Sequence, residues 1–350
     1  MFDKTFGCIT LQKEKSVLQF LHYVEVDGGA MRVTIGLRGI LMLAVSSVLF
    51  SQSPAFGAST NSKTPSSKAT SARLAAASSA SERTQAKRLA QAEEIIPAFK
   101  GNPGVKSNSV LVIDGSNSSV IYSKRADVPA PIASITKLMT ALVVLEGAQP
   151  LDEILEVTKD DRSLEKGAYS RLAIGAKLTR GNLLHLALMS SENRAAHAIG
   201  RNYPGGLDVF VHTMNLKARA LGMTHTHFVD PTGLSSENQA SPNDLAKLVM
   251  AASRDSTIRD YSTDREHTVK VGRHLLAFHN TNVLVKNPAW DIVVQKTGYI
   301  SEAGKCLVMQ AMIDGRAIII VLLDSYGKYT RVADAKRIRK WMEGQLLSQS

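Results

Sequence analysis

Cysteine is nearly absent from this chain of 350 residues: there are two, Cys8 and Cys306. That excludes a small scaffold stapled by disulfides. No apolar run reaches the roughly 20 residues that a membrane-spanning helix needs. The nine histidines are scattered, and the only close pair, His225-x-His227, lies in a polar stretch suited to loop hydrogen bonding. No zinc-ligand spacing emerges, so neither a metal nor a cofactor is expected. Internal repeats are also missing, which removes solenoid architectures.

What is present suits a globular protein with a substantial core, 44% hydrophobic and 21% charged. Arg32 and Arg38 precede a short apolar run, Gly39–Phe50, and Ala55 and Gly57 follow as small residues. A basic stretch, an apolar centre of about a dozen residues and a small-residue cleavage site describe an export signal over 31–57, cut after Gly57. Met31 opens a normal signal, so residues 1–30 are expected to be a misassigned upstream extension. With Cys8 upstream of the cut, the mature chain keeps only Cys306, in the apolar run Cys306-Leu307-Val308-Met309. It is expected to act as a small buried hydrophobe. Residues 58–94 are rich in Ser, Ala, Thr and Lys without an apolar face, and are expected to form a disordered tether before a folded domain over 95–350. The net charge of +11 on an exported chain argues against nucleic acid. It suits either loose attraction to anionic envelope polymers or simply a well-solvated surface.

The folded part opens with a hairpin, Ser109–Asp114 and Ser119–Ser123 around a Gly/Ser/Asn turn. Apolar residues at helical spacing run from Ser134 to Glu146, and Gly147 ends them. A short strand is expected over 153–157, and helices over 178–189, 195–202, 207–221 and 243–253. Two strands, 304–312 and 317–323, meet at an Asp314-Gly315 turn, and a basic amphipathic helix covers 331–347. Strands at both ends with helices between them imply an α+β fold, an antiparallel sheet flanked by helices with a helical subdomain.

Three short words stand out in this frame: Ser134-Ile135-Thr136-Lys137, Ser191-Glu192-Asn193 and Lys296-Thr297-Gly298. Ser134 begins a helix and Lys137 follows one turn later on the same face. Unpaired N–H groups at a helix start suit an oxyanion. The positive helix end and burial both disfavour a protonated lysine, so Lys137 can act as base to a Ser134 nucleophile. Ser191 can pass a proton to a leaving nitrogen, and Asn193 can hold a substrate carbonyl and Lys137. Lys296 on a strand offers fixed positive charge, Thr297 a hydrogen bond to a carboxylate, and Gly298 room for a substrate backbone. Alone, each word is more often a capping serine, an ordinary loop or a strand end. Their order and their separations of 57 and 105 residues join them into one site for serine acyl transfer.

In that order and context the chain resembles the penicillin-recognising serine enzymes, and among them the DD-peptidases of peptidase family S11. Pro131–Ala141 matches the family's nucleophile segment. Leu172 to Ser191, Phe228–Leu234 and Ser241–Leu245 resemble further signatures, so the likeness covers about residues 106–345. It implies a DD-peptidase fold and catalytic roles for Ser134, Lys137 and Ser191. It further implies substrate binding by Asn193, Lys296, Thr297, Gly298 and Tyr299, with the N–H groups of Ser134 and Tyr299 as oxyanion hole. Only 52 residues follow Gly298, too few for the C-terminal β-domain that the carboxypeptidases commonly carry. The middle word is Ser-Glu-Asn rather than Ser-Gly-Asn. Together with His279–Asn282 and Lys296–Cys306, these features resemble the penicillin-binding protein 7 type of endopeptidase. Such enzymes are periplasmic, cut D-alanyl-meso-diaminopimelyl cross-links of peptidoglycan, and take β-lactams as covalent inhibitors. A carboxypeptidase trimming pentapeptide stems is the alternative. A serine β-lactamase would need a Glu-x-x-x-Asn deacylation word, which is not found, and a non-catalytic wall-binding relative would have lost one of the three words.

Overall fold

A computed structural model of the chain describes residues 9–13, 16–27, 30–37, 99, 101–161 and 170–347. Two units are distinct, with a boundary at Ala80 and Ser81. In the first, β1 (Ile9–Lys13), β2 (Ser16–Asp27) and β3 (Ala30–Leu37) pair antiparallel in that order. Strand β3 takes in Met31 and Arg32, where the export signal was expected to open. The apolar run Gly39–Phe50, the cut after Gly57 and the tether over 58–94 lie outside the described residues.

The second unit is built on an antiparallel sheet of five strands in the order β12-β13-β14-β4-β5. Its members are β4 (Ser109–Asp114), β5 (Val120–Lys124), β12 (Asp291–Ile300), β13 (Gly304–Ile313) and β14 (Arg316–Ser325). The unbroken apolar run of β14 is explained by burial on both faces. Ile318, Ile320 and Leu322 join Val110 and Val112 in a core closed by Ala335, Ile338 and Met342. Ile319, Val321 and Leu323 join Leu111 and Ile113 in the larger core under the helices. Each strand thus shows period-2 alternation, but between two apolar environments.

Helix α1 (Thr136–Glu146) has nine of its eleven residues buried and runs through the middle of the helical half. Around it lie α2 (Arg180–Met189), α3 (Asn193–Arg201), α4 (Gly206–Ala220), α5 (Pro242–Ala252) and α6 (Ser256–Thr263). Three of these starts are fixed by side chains: Thr179 accepts from the Asn182 N–H, Ser241 from Asp244 and Asp255 from Ile258. The last element, α7 (Thr330–Leu347), packs on the other sheet face.

The α+β class, the first hairpin, the closing strands and the terminal helix stand where the sequence placed them. Some boundaries differ. Ser134 belongs to a 3₁₀ turn, Ala133–Ile135, and the α-helix begins at Thr136. Residues 177–179 form β8 (Lys177–Thr179), paired with β7 (Ile154–Glu156), before α2 begins. A hairpin of β10 (Glu266–Val271) and β11 (His274–His279) and the small ladder of β6 (Ala130–Pro131) with β9 (Gln239–Ala240) had no counterpart in the sequence reading.

Candidate active site

The three words converge where α1, α3 and strand β12 meet. Ser134 is held in the 3₁₀ turn by the left-handed backbone of Ala133 (φ 48°) and is only 8% exposed. Strand β12 crosses close behind this turn. A Cβ added at Gly298 would lie 2.8 Å from the Ile132 carbonyl oxygen and 3.2 Å from the Ser134 nitrogen, so only glycine lets the two backbones meet there.

Lys137 is fully buried, and its Nζ donates to Ser134 Oγ at 2.8 Å, Asn193 Oδ1 at 2.7 Å and the Thr232 carbonyl at 2.6 Å. Burial pushes its pKa down to about 7, while the carboxylates of Asp230 and Glu192 act in the opposite direction. A neutral amine next to a serine hydroxyl is therefore accessible near neutral pH, and in that form the 2.8 Å contact can run from Oγ–H to Nζ.

Ser191 sits at a left-handed position (φ 63°) in the turn between α2 and α3. Its turn is tied to α2 by the Glu192 N–H donating to the Leu186 carbonyl. Asn193 opens α3. Lys296, fully buried on β12, donates from Nζ to Ser191 Oγ at 2.8 Å and to the Thr297 carbonyl at 2.9 Å. Its pKa is also lowered, first by burial and then by the charges of Lys137 and Arg331. Ser134, Lys137 and Asn193 thus form one bonded group and Ser191 and Lys296 another, joined through the 191–193 turn. The Thr297 hydroxyl lies 2.6 Å from that of Thr281. Tyr299 is 57% exposed, with the Lys305 ammonium 3.8 Å from its ring centre. All eight residues singled out in the sequence lie on these converging elements.

Sequence reasoning assigned no role to several supports. Asp230 accepts from the N–H groups of Thr232, Gly233 and Ser235, which shapes the loop that aims the Thr232 carbonyl at Lys137. Gly233 (φ 77°) has no room for a Cβ, which would overlap the Ala133 carbonyl. Asn238 donates to Thr136 Oγ1 and to the Asp230 carbonyl. Arg331 donates to the Gly298 carbonyl at 2.9 Å. Behind Lys296, Gln295 donates to the Ser262 carbonyl and to Asn280 Oδ1. The family-like segments 228–234 and 279–282 were the only signal for this shell. Cys306, across from Gly298 on β13, is buried and its thiol is pushed up to about 11 by burial, which leaves it protonated and inert. The backbone N–H of His225 donates to Asp244 and that of His227 to the Gln239 carbonyl.

Comparison with known proteins bears on the same region. A family model described as peptidase S11, D-alanyl-D-alanine carboxypeptidase, matches residues 97–327. A D-alanyl-D-alanine endopeptidase of Pseudomonas aeruginosa is 47% identical over 68% of this chain and 77% of its own length. One of Escherichia coli K12 is 45% identical over 69% of this chain and 78% of its own. Among solved structures, the Streptomyces K15 DD-transpeptidase superposes with a TM-score of 0.64 at 27% identity, covering 69% of this chain and 98% of that one.

Proposed function

The chain belongs to peptidase family S11, and from that premise we infer that it is a serine D-alanyl-D-alanine endopeptidase cutting D-alanyl-meso-diaminopimelyl cross-links of peptidoglycan. The endopeptidases of P. aeruginosa and E. coli, at 47% and 45% identity, support this reading. Carboxypeptidases of the family are more distant, for example 26% for that of E. coli K12. The observation that carries the chemistry is the buried Lys137 amine 2.8 Å from Ser134 Oγ, with a pKa near 7.

Ser134 Oγ attacks the carbonyl carbon of the D-alanyl residue as Lys137 takes its proton. The backbone N–H groups of Ser134 and Tyr299 receive the developing oxyanion. Ser191, bonded to Lys296, relays a proton to the leaving diaminopimelyl amine, and the C–N bond breaks to leave an acyl-enzyme on Ser134. Water, deprotonated by the same base, then cleaves the ester and restores the hydroxyl. Asn193 holds the substrate amide, and Lys296 and Thr297 bind its carboxylate end. Gly298 keeps β12 close enough for a substrate strand to lie beside it. A β-lactam would acylate the same oxygen and block it. We place the enzyme in the periplasm, where its basic surface favours loose association with anionic wall polymers.

The test has two arms. Fluorescent penicillin should label the wild type and leave Ser134→Ala dark, and equal labelling would remove Ser134 from its role. Digestion of purified sacculi should deplete cross-linked dimers while terminal D-alanine is retained. Release of D-alanine from pentapeptide monomers instead would move the assignment to the carboxypeptidase reading.

A further inference from the structure

Helix α3 uses its polar side to hold Leu172 and Asp161. Arg194, His197 and Arg201 recur at i, i+3 and i+7 on one helix face. Arg194 donates to the Leu172 carbonyl at 2.5 Å, and His197 and Arg201 both bind the buried Asp161 carboxylate. Immediately before the helix, Glu192 is 6% exposed and acts in the same sense. One carboxylate oxygen accepts from the Ser170 hydroxyl and the other from the Arg171 N–H at 3.4 Å. Arg171 in turn donates to the Ala277 carbonyl of β11 and lies over the Phe278 ring at 4.7 Å. Segment 170–172 is thereby fastened to the β10–β11 hairpin on one side and to the Ser191–Asn193 turn on the other.

Burying a carboxylate is costly unless donors hold it, and the two donors on Glu192 both come from segment 170–172. Among the described residues Glu192 accepts from a hydroxyl and a backbone N–H, and its charge, like that of Asp230, favours the protonated form of Lys137. We propose that Glu192 is a positioning residue of the proposed acylation reaction: its carboxylate locks the Ser191–Asn193 turn, and with it the Asn193 amide bonded to Lys137, to segment 170–172. Its negative charge, beside that of Asp230, adds to the stability of the protonated form of Lys137. A glycine at this place would supply neither function. The inference rests on Lys137 being the base.

The groups facing Lys137 are few. Ser134 approaches it from the 3₁₀ turn, Asn193 from α3, the Thr232 carbonyl and Asp230 from the 230–235 loop, and Glu192 from the turn before α3. Lys296 on β12 feels the charge of Lys137 in return. Asp230 acts on Lys137 as well and is held by its own loop, so it is the same in every Glu192 variant, and a difference between those variants reads Glu192.

The experiment is the pH profile of penicillin acylation at Ser134 for the wild type, Glu192→Gln, Glu192→Asp and Ser170→Ala. Glutamine removes the charge and keeps an acceptor for Ser170. Losing the negative charge lowers the lysine pKa, so the acid limb should move by about half a unit to one unit toward lower pH. Aspartate should hold the limb within a few tenths of the wild type. Ser170→Ala should leave the limb in place and raise KM for a cross-linked muropeptide dimer several-fold. An unmoved limb in Glu192→Gln, or an equal shift in Ser170→Ala, overturns the proposal. Labelling of wild-type Ser134 reads the function separately, because it can succeed while the limb stays fixed. If Glu192→Gln does not fold, Glu192→Asp against Ser170→Ala still decides: a full-sized limb shift in the aspartate variant refutes the charge argument.

Discussion

The face of the sheet that meets α7 and the face that meets α1 and α5 are formed by alternate residues of the same strands, yet they bury different chemistry. Against α7 the contents are aliphatic, Val110, Val112, Ile318, Ile320 and Leu322 with Ile338 and Met342. A small buried polar cluster there centres on Asp334, which accepts from the N–H groups of Lys106 and Ser107 and from the Ser107 hydroxyl, itself bonded to Ser325. On the helical side a larger aliphatic core surrounds Lys137, Lys296, Glu192, Thr136 and Asn238, all buried. Left-handed backbone at the non-glycine residues Ala133 and Ser191 also falls on this side. The site thus combines two buried lysines with left-handed backbone at Ala133 and Ser191, while the core against α7 is packed mainly with aliphatic side chains.

The sharpest way to break this contrast is Lys137→Met. Without the amine, penicillin acylation should fall about 10³-fold, or about 4 kcal/mol in the barrier, as expected for a lost general base. Stability should move differently. A lysine whose pKa is about 7 when folded and near 10.5 when unfolded releases its proton on folding across that window. The unfolded chain therefore binds more protons, and wild-type stability rises with pH from about 7 to about 10. In Lys137→Met that rise should shrink, with the remainder contributed by Lys296, whose pKa is displaced in the same direction. Thermal melting between pH 7 and 10 measures it, and an unchanged slope would mean the buried amine is not neutral.

The mirror-image substitution is Ile320→Ala on the α7 face. Removing a fully buried isoleucine from β14 should destabilise the fold by about 3 kcal/mol through lost burial and a cavity. The acylation rate per folded molecule should remain that of the wild type, since nothing on that face touches Ser134. Urea unfolding together with active-site titration reads both quantities. A loss of rate in the folded fraction would show that the two faces are coupled.

The same contrast explains what was legible in the sequence. Strand β14 was visible because residues buried on both faces leave an unbroken apolar run, and α1 because it is apolar nearly all round. The β10–β11 hairpin was missed because it buries only Val269 and Phe278, too few for an alternating pattern. Residues 178–179 of β8 were absorbed into the following helix because Leu178 fits either period. In the site, the three words were readable because side-chain chemistry is written in residue identity. The Thr232 carbonyl on Lys137 was not, since any residue carries a carbonyl and only the fold aims it. The 3₁₀ turn at Ser134 was hidden for a related reason: it depends on Gly298 and Gly233 approaching from distant parts of the chain.

The smallest effect concerns how the polar side of the molecule is held together. Asp161 is buried against His197 and Arg201 on α3, and these bonds with the Thr158 N–H outweigh desolvation to bring its pKa down to about 2. A carboxylate with a depressed folded pKa contributes stability above its unfolded value near 4 and loses it as pH falls through the folded value. The contribution of Asp161 should therefore be complete at neutral pH, about 2 kcal/mol, and fade between about pH 4 and 2. Asp161→Asn compared with the wild type in urea at pH 7, 5, 4 and 3 should show a gap of that size that narrows only in the last two. Because α3 begins at Asn193, the variant should also weaken acylation several-fold at pH 7. A stability gap without any loss of rate would mean that the clamp on α3 serves the fold alone, and that the site is positioned from the Glu192 end of the helix.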